Sequence, residues 1–317
     1  MTLRHGGLDP QSTLALKQTD FAPPSIPDHV RDDKPSVIAG LTRRTALKAA
    51  LGVGYAAAAG PLMAQTAIKT SSEGLTAGEV TIMVNGFKMP AYCAAPAGKM
   101  NLPVVLVIHE VFGVHEYIAD TARRWAQAGY LAIAPELFAR QGDPAEYGEL
   151  SKLMSEVVAK VPDAQVMADL DATVRWAGAN GGDAGKVGIS GFCWGGRITW
   201  LFAAHSPAVK AGVAWYGRLA GDKTLLTPAN PLDVGGRVNG PVLGLYGGAD
   251  PSIPPADVEQ MKALLASGDP AARQSSIVVY PDTPHAFHAD YRPSYRQGPA
   301  QDGWKRALAW FRANGVA

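Results

Sequence analysis

Midway along the chain lies the stretch Lys186-Val187-Gly188-Ile189-Ser190-Gly191-Phe192-Cys193-Trp194-Gly195-Gly196. Its first half is a short apolar run closed by Ser190, and a helix-compatible segment follows from Arg197 to Ala204. A strand, a turn with the pattern Gly-x-nucleophile-x-Gly and a helix together make a nucleophile elbow, in which the central side chain stands at the tip of the turn. The stretch therefore predicts that Cys193 is a nucleophile at a strand-to-helix turn.

The residues on either side of Cys193 fit this interpretation. A side chain two positions before or after the nucleophile would clash with the elbow backbone, and this chain has Gly191 and Gly195 there. The following helix points its N-terminal N–H groups and the positive end of its dipole at the sulfur, which favours the thiolate form. On this motif alone, a structural cysteine buried in a glycine-rich turn is an alternative.

The composition of the 317 residues is that of a globular protein. Apolar residues make up 47% and charged residues 18%, which suffices for a buried core in one large domain or two small ones. The formal net charge is +1, and the chain has neither a basic block nor an acidic tail. We therefore expect a small-molecule substrate and no nucleic-acid partner.

The N-terminal region resembles a twin-arginine export signal. The paired arginines of Thr42-Arg43-Arg44-Thr45-Ala46-Leu47-Lys48 precede an Ala- and Gly-rich apolar run from Ala49 to Ala64. The resemblance predicts a periplasmic or exported protein, with residues 1–64 as a disordered or removed signal region. Residues 65–76 are then a linker, and residues 77–317 form the folded domain.

The apolar run is short for a transmembrane helix and is interrupted by Gly52, Gly54, Gly60 and Pro61. We therefore expect no stable membrane insertion once the signal is removed. An uncleaved anchor and a disordered tail with an accidental arginine pair are alternatives.

The chain has two cysteines, Cys93 and Cys193. In an exported protein, such a pair makes a disulfide an alternative. Cys93, however, lies in the strand-like run Met89–Cys93, where a cysteine most simply acts as a small buried hydrophobe. We therefore expect Cys193 to be a free thiol.

Strand-like and helix-like segments alternate from about residue 77 onward, which predicts a mostly parallel sheet with helices on both faces. Asn85-Gly86 separates two apolar runs and is typical of a two-residue hairpin turn. The predicted strands are Val80–Val84, Met89–Ala94, Pro103–Ile108, Tyr130–Ala134, Lys186–Ser190, Val209–Tyr216, Pro241–Tyr246 and Ser275–Tyr280; the predicted helices are Ile118–Ala128, Ala145–Val161, Ala164–Ala179, Val258–Ala266 and Asp302–Ala313, with a long loop at Arg218–Gly240.

Three predicted strands are followed by residues that suit a catalytic triad. Cys193, Asp250 and His285 each come shortly after a strand, and reactive groups in such sheets lie at the carboxyl ends of strands. The order nucleophile, acid, histidine is that of α/β-hydrolases. The order predicts attack by Cys193 on an acyl carbon, proton transfer through His285 and orientation of His285 by Asp250.

Each of these residues has a structural alternative. Asp250 could cap the helix that follows it, His285 could be a loop histidine with satisfied hydrogen bonds, and His288 competes as the base. His109 and His115 are expected to be structural or to line the pocket. The oxyanion needs two backbone donors, which we expect to be the N–H groups of Val111 and Trp194.

Four motifs together resemble the dienelactone hydrolase (carboxymethylenebutenolidase) family. The motifs are Phe192-Cys193-Trp194-Gly195-Gly196, His109-Glu110-Val111-Phe112-Gly113, Ala134-Pro135-Glu136-Leu137-Phe138-Ala139-Arg140 and Pro284-His285-Ala286-Phe287. The resemblance spans roughly residues 78–315 and implies an α/β-hydrolase fold. It also implies hydrolysis of small lactones or esters through a thioester intermediate, without a metal or an organic cofactor, by a protein that we expect to be a monomer.

The resemblance implies further site residues. Glu110 corresponds to a glutamate that holds the resting thiol, and Arg140 to an arginine that holds the carboxylate of the substrate. A second family arginine lies four residues past the histidine, where this chain has Ala289; Arg292 lies nearby. This departure puts the dienelactone itself in doubt more than ester hydrolysis.

Aromatic side chains predicted to line the pocket are Phe112, Tyr117, Phe138, Trp194 and Tyr216, although core packing would explain each of them equally well. The leading interpretation is a cysteine-dependent hydrolase of small lactones or esters. A general carboxylesterase or thioesterase is the alternative within this class. A non-catalytic α/β-hydrolase-fold module that binds a ligand or responds to redox state is the alternative from another class.

Overall fold

A mostly parallel sheet of eight strands organises residues 68–317, the part of the chain that the computed structural model describes. The predicted signal region, residues 1–64, lies outside these residues. The strands are β1 (Leu75–Val84), β2 (Phe87–Pro96), β3 (Leu102–Ile108), β4 (Leu131–Pro135), β5 (Gly182–Phe192), β6 (Val209–Trp215), β7 (Val242–Gly247) and β8 (Ser276–Tyr280). Their spatial order is β1-β2-β4-β3-β5-β6-β7-β8.

The helices of the described residues connect these strands. They are α1 (Glu116–Gln127), α2 (Leu150–Glu156), α3 (Asp163–Ala179), α4 (Trp194–His205), α5 (Pro231–Val234), α6 (Pro255–Ser267), α7 (Pro270–Gln274) and α8 (Gln297–Ala313). None of them combines the length and the apolarity that crossing a membrane requires.

The two antiparallel strand pairs lie at one edge of the sheet. β1 and β2 form a hairpin, and β2 also runs antiparallel to β4, whereas every other neighbouring pair is parallel. The hairpin turns at Asn85 and Gly86, whose φ values of 48° and 82° are those of the two-residue turn that the sequence predicted. β1 begins at Leu75, two residues before the predicted start of the domain.

Helices cover both faces of the sheet, as the alternation of elements predicted. On one face, α1 and α8 meet through Trp125, whose ring centroid lies 4.4 Å from that of Trp304 and 5.0 Å from that of Phe311. On the other face, α4 packs on the sheet close enough that a Cβ on Gly212 would lie 3.1 Å from Thr199. The interior of β3, from Val104 to Ile108, is completely buried, which explains its continuous apolar sequence.

The prediction of one helix over Ala145–Val161 is wrong. The segment instead has a 3₁₀ turn at Pro144–Glu146, α2, and a second 3₁₀ turn at Val158–Lys160. Tyr147 and Glu149 adopt extended conformations on either side of Gly148, which interrupts the helix. The predicted loop over Arg218–Gly240 is also more ordered than expected, because it contains α5 and a 3₁₀ turn at Gly235–Arg237.

Candidate active site

Cys193 stands at a strained turn between β5 and α4. Its φ of 54° and ψ of −114° are conformations that residues other than glycine rarely adopt, and they persist only where surrounding contacts enforce them. The Cys193 N–H donates to the carbonyl of Trp215 at 3.0 Å, and the Cys193 carbonyl accepts from Gly196 at 3.0 Å. The turn therefore has the backbone geometry that the elbow pattern predicted.

The glycines of the elbow allow a close approach of backbone to backbone. A Cβ on Gly191 would lie 2.1 Å from the carbonyl oxygen of Gly195, and a Cβ on Gly195 would lie 2.4 Å from that of Ile108. Ile108 ends β3, and its Cα partner across the sheet is Gly191. The loop after β3 therefore begins beside Cys193.

His285 and Asp250, which are 35 residues apart in sequence, meet beside the elbow. Nδ1 of His285 lies 2.6 Å from Oδ2 of Asp250, and Cys193 is close enough to the imidazole to raise its pKa. Because Asp250 takes Nδ1, Nε2 is the ring nitrogen left for the sulfur. The structure thus brings together the three residues that strand order had grouped, although their catalytic roles stay predictions.

Ser252 is a part of this site that sequence reasoning missed. Its N–H and its hydroxyl both donate to Oδ1 of Asp250, at 2.8 Å and 2.6 Å, and its Oγ lies 3.3 Å from Nδ1 of His285. Oδ1 and Oδ2 of Asp250 are therefore both engaged, which fixes the carboxylate plane. A serine two residues after an aspartate is a signal for such a local turn.

Charges in the site reinforce one another. Burial by itself would lower the pKa of His285, but hydrogen bonds to Asp250 and Cys193, together with their charges, raise it to about 10. Burial would raise the pKa of Asp250, but hydrogen bonds from His285 and Ser252 lower it below its usual value. When Cys193 carries a negative charge, the geometry favours an imidazolium beside an ionised Asp250 at neutral pH.

Two of the predicted pocket aromatics, Tyr216 and Tyr117, pack against His285 and His288 respectively. The ring of Tyr216 packs edge-on against His285 at 5.1 Å between centroids, and its own φ is 39°. Tyr117 lies 2.6 Å through its hydroxyl from Nδ1 of His288. His288 is buried, and burial followed by the charge of Arg124 lowers its pKa well below the usual value. His288 is therefore a neutral imidazole that hydrogen-bonds to Tyr117, and the histidine bonded to Asp250 is His285.

Glu110 lies buried next to the site, in the loop after β3. The hydroxyl of Tyr291 donates to its Oε2 at 2.9 Å, and Nη1 of Arg292 lies 4.0 Å from its Oε1. Burial raises the pKa of Glu110, against the opposing effects of Arg292, Tyr291 and His285. Sequence reasoning missed Tyr291 and noted Arg292 only for its proximity in the chain.

His115 lies beside Glu110, and Phe112 lies beside Arg292, which is itself close to Glu110. Nε2 of His115 lies 4.0 Å from Oε2 of Glu110, and burial, followed by the charges of His109 and Arg292, lowers the His115 pKa to about 3. The guanidinium of Arg292 lies 5.5 Å from the ring centroid of Phe112. Glu110 therefore faces a neutral histidine on one side and a cation on the other.

The loop that carries Val111 is fixed by His109 and Glu136. Nδ1 of His109 lies 2.6 Å from the Glu110 carbonyl, and its Nε2 accepts from the N–H of Leu137 at 3.2 Å. Oε2 of Glu136 accepts from the N–H of Val114 at 2.8 Å. These bonds hold the loop beside the elbow, while Trp194, as the first residue of α4, has an N–H without an intrahelical acceptor.

Trp194 and Phe138 pack against the base of this loop. The Trp194 ring stacks on His109 at 5.5 Å, and Phe138 meets both rings edge-on. Phe138 is fully buried, which fits core packing as well as a pocket wall.

Arg140 is already bound to another residue of the protein. Its Nη1 and Nη2 donate to the two carboxylate oxygens of Asp169 at 2.6 Å and 2.8 Å, and its guanidinium lies 4.2 Å from the ring centroid of Phe87. The side chain of Asp169 is 1% exposed. Arg140 would have to leave this buried partner to hold a substrate carboxylate, so the geometry does not favour the role that the resemblance implied.

The two cysteines are both free. Burial raises the pKa of Cys93 to about 12, so its thiol stays protonated and unreactive at neutral pH. Cys93 lies within β2, where it is partly buried and packs against the core, whereas a fully buried side chain was expected. Within residues 68–317, His, Cys, Asp and Glu side chains form no cluster of three or more that could hold a metal ion.

Comparison with known proteins gives consistent results. Residues 89–315 match the model of the dienelactone hydrolase family. The protein named "Putative carboxymethylenebutenolidase" of Methylorubrum extorquens AM1 is 56% identical over 278 residues, which cover 87% of this chain and 94% of that protein. The protein of the same name from Escherichia coli K12 is 53% identical over 263 residues, which cover 83% and 96%.

A solved structure supports the fold. The crystal structure titled "Putative Dienelactone Hydrolase" from Klebsiella pneumoniae is 55% identical and superposes with a TM-score of 0.73. The match covers 75% of this chain and 98% of that chain.

Proposed function

The chain belongs to the dienelactone hydrolase family, and on that premise we propose that it cleaves small lactones and esters with a Cys193–His285–Asp250 triad through a thioester intermediate. The broader activity, that of a carboxylic ester hydrolase of the carboxymethylenebutenolidase type, follows from the family itself. The observation that carries the triad is the position of His285, which lies 2.6 Å from Asp250 through Nδ1 and has its pKa raised by both Asp250 and Cys193.

The proposed reaction has two halves. The sulfur of Cys193 attacks the acyl carbon, and its proton goes to His285 either before or during the attack. The tetrahedral intermediate collapses when the carbon–oxygen bond breaks, and His285 gives the proton to the departing alkoxide, which in a lactone stays tethered to the acyl group. Water then attacks the thioester, loses its proton to His285, and the returning sulfur takes that proton. The product is a carboxylic acid with the free alcohol.

Two backbone donors would stabilise the negative charge that develops on the acyl oxygen. We assign this role to the N–H groups of Trp194 and Val111, the first because it begins α4 and the second because its loop lies beside the elbow. Asp250 holds Nδ1 of His285, so that the imidazolium is stabilised while it carries the proton.

For a substrate that carries a carboxylate, Arg292 is the better placed cation. Its Nη1 lies 4.0 Å from Oε1 of Glu110, its guanidinium lies over the ring of Phe112, and its side chain is 33% exposed. Nη1 and Nη2 of Arg140 already donate to the two carboxylate oxygens of Asp169. We propose that Arg292 compensates for the arginine that is absent at Ala289. Glu110, buried and with a raised pKa, is proposed as the group that shares a proton with the resting thiol.

Hydrolysis assays with matched cysteine variants test the triad. Wild-type protein, Cys193→Ala and the control Cys93→Ala are assayed on cis- and trans-dienelactone and on p-nitrophenyl acetate, and the acyl-enzyme is sought by mass spectrometry. We expect Cys193→Ala to lose the activity and the acyl adduct, and Cys93→Ala to keep both. Turnover of only the simple ester would favour a general carboxylesterase. Full activity in Cys193→Ala would refute the triad.

We also propose that the protein is exported through its twin-arginine-like segment. The support is the sequence alone: Arg43 and Arg44 precede the apolar run Ala49–Ala64. Replacing both arginines by lysine in a tagged full chain is expected to shift the protein from the periplasmic to the cytoplasmic fraction. An unchanged distribution would contradict export by this route.

A further inference from the structure

Residues 68–71, here called the strap, precede β1 and bind along helix α1. The N–H and the hydroxyl of Thr70 donate to the two carboxylate oxygens of Asp120, at 2.5 Å and 3.2 Å. In return, Nε of Arg123 donates to the Thr70 carbonyl at 3.1 Å, and the Gln127 side chain donates to the Ser71 carbonyl at 3.0 Å. The strap is therefore held by both its donors and its acceptors.

A series of buried ion pairs connects Asp120 with the neighbourhood of the site. Arg124 donates to Asp120 at 2.6 Å and to Asp290 at 2.5 Å, and the carboxylates of both acids are only 2% exposed. Asp290 also accepts a hydrogen bond from the backbone N–H of Ile68. Each of the two buried acids therefore takes one backbone donor from the strap and one guanidinium bond from Arg124.

Asp290 stands next to Tyr291, whose hydroxyl donates to Glu110 at 2.9 Å. Two successive turns, with Ala289 N–H bonded to Ala286 and Arg292 N–H bonded to Ala289, join this stretch to His285. A buried carboxylate that loses a donor must be rehydrated or protonated, and its loop then moves. Because Tyr291 directly follows Asp290, we expect a displacement of Asp290 to reach Tyr291.

We propose that the strap is a working part of the active site: through Asp120, Arg124 and Asp290 it holds Tyr291 on Glu110. Asp290 is thus a positioning residue. It directly follows Ala289, which stands where the family has its second arginine. The proposal deepens the proposed function and rests on it for its kinetic consequence. It also requires that a processed form of the protein retain Ile68 to Ser71.

Hydrogen exchange in the full chain tests the mechanical link without any need for activity. Thr70→Pro removes both the N–H and the hydroxyl that bind Asp120, and Ser71→Ala is the control, since it removes only the bond from Glu73 N–H to Ser71 Oγ. We expect amides of residues 286–292 to exchange about tenfold faster in Thr70→Pro and unchanged in Ser71→Ala. Equal exchange in Thr70→Pro and wild type would overturn the proposal.

A double-mutant cycle on p-nitrophenyl acetate tests the kinetic link. Asp290→Asn and Tyr291→Phe are each expected to lower kcat about fivefold with little change in KM, and the double variant is expected to lose no more than the larger single loss. If the two losses in kcat multiplied in the double variant, the role of Tyr291 would be refuted. It would also be refuted if Asp290→Asn lost thermal stability but kept its kcat. An inactive wild type would refute the proposed function alone, because the exchange result stands separately.

Discussion

The hydroxyl of Ser252 donates to Oδ1 of Asp250 at 2.6 Å, while Nδ1 of His285 lies 2.6 Å from Oδ2 of the same carboxylate. Backbone N–H groups often orient a catalytic carboxylate, but here a side chain adds a second donor. In the proposed reaction Asp250 holds His285 in one orientation through both halves, so we expect the loss of this donor to have a kinetic consequence.

Ser252→Ala is expected to lower kcat about tenfold and leave KM nearly unchanged, because it removes a hydrogen bond to a charged group while the Ser252 backbone N–H remains. Steady-state kinetics on p-nitrophenyl acetate measure the effect. Ser267→Ala, which removes an exposed hydroxyl bond to the Ala263 carbonyl, is the control and should match wild type. A Ser252→Ala enzyme with wild-type kcat would show that Asp250 needs no second donor.

The pH dependence of kcat/KM is expected to report the raised pKa of His285. In the proposed reaction the imidazolium supplies the proton for the leaving oxygen, so activity should fall as the pH rises through about 10. Asp250→Asn removes a charge that raises this pKa and leaves the burial that lowers it, so the alkaline limb should move to lower pH. Asp302→Asn is the control: this acid is bonded to Tyr280 and Arg306, and its replacement should leave the alkaline limb in place. A limb unmoved in Asp250→Asn would contradict the assignment.

Arg140 and Arg292 are expected to separate stability from substrate binding. Arg140→Ala leaves the buried carboxylate of Asp169 without its ion-pair partner and should lower the free energy of unfolding by about 2–4 kcal/mol. Arg306→Ala breaks the exposed pair with Asp302 and should cost less than about 1 kcal/mol. Denaturant melts measure both. If Arg140→Ala were as stable as wild type, the Asp169 pair would have no structural role.

Arg292→Ala is expected to raise KM about tenfold or more for an ester that carries a carboxylate, because a charge-assisted bond is lost, and to leave KM for p-nitrophenyl acetate unchanged. Paired assays on the two substrates measure this difference. Equal KM changes on both substrates would indicate that Arg292 shapes the site generally and does not bind the carboxylate.

Sequence patterns predicted those structural features whose backbone geometry depends on a few adjacent residues. The Asn85-Gly86 turn needs positive φ at both positions, and the elbow needs Gly191 and Gly195, so each could be read from a few adjacent residues. The grouping of Cys193, Asp250 and His285 followed from a rule of topology, because the carboxyl ends of parallel strands share one edge of the sheet.

Pairings between distant residues could not be predicted in this way. Asp169 lies 29 residues from Arg140 and Tyr291 lies 181 residues from Glu110, and no periodicity relates the members of either pair. The role of Arg140 was therefore taken from resemblance, which gave its position in the chain but not the partner that holds it. Ser252 is different, since its turn with Asp250 is local and could have been found.

Gly191→Ala tests the close packing that sets the elbow. A Cβ there would lie 2.1 Å from the carbonyl oxygen of Gly195 and 2.6 Å from Oγ1 of Thr199, and the first of these atoms is backbone that cannot rotate away. To relieve the overlap, α4 would have to move from β5, and Cys193, already at a φ of 54°, would move with it. We therefore expect little soluble protein, or a lowered melting temperature with activity reduced at least about a hundredfold.

Gly78→Ala is the matched control, because it lies in β1 and a Cβ there would meet nothing within 4 Å. Alanine at this position should leave both melting temperature and kcat close to wild type, since it costs no contact and restricts the unfolded chain. Thermal melts and ester hydrolysis measured side by side decide the comparison. If Gly191→Ala behaved like Gly78→Ala, the turn would have room for a side chain, and the tight approach of β5 to α4 could not be what positions the sulfur of Cys193.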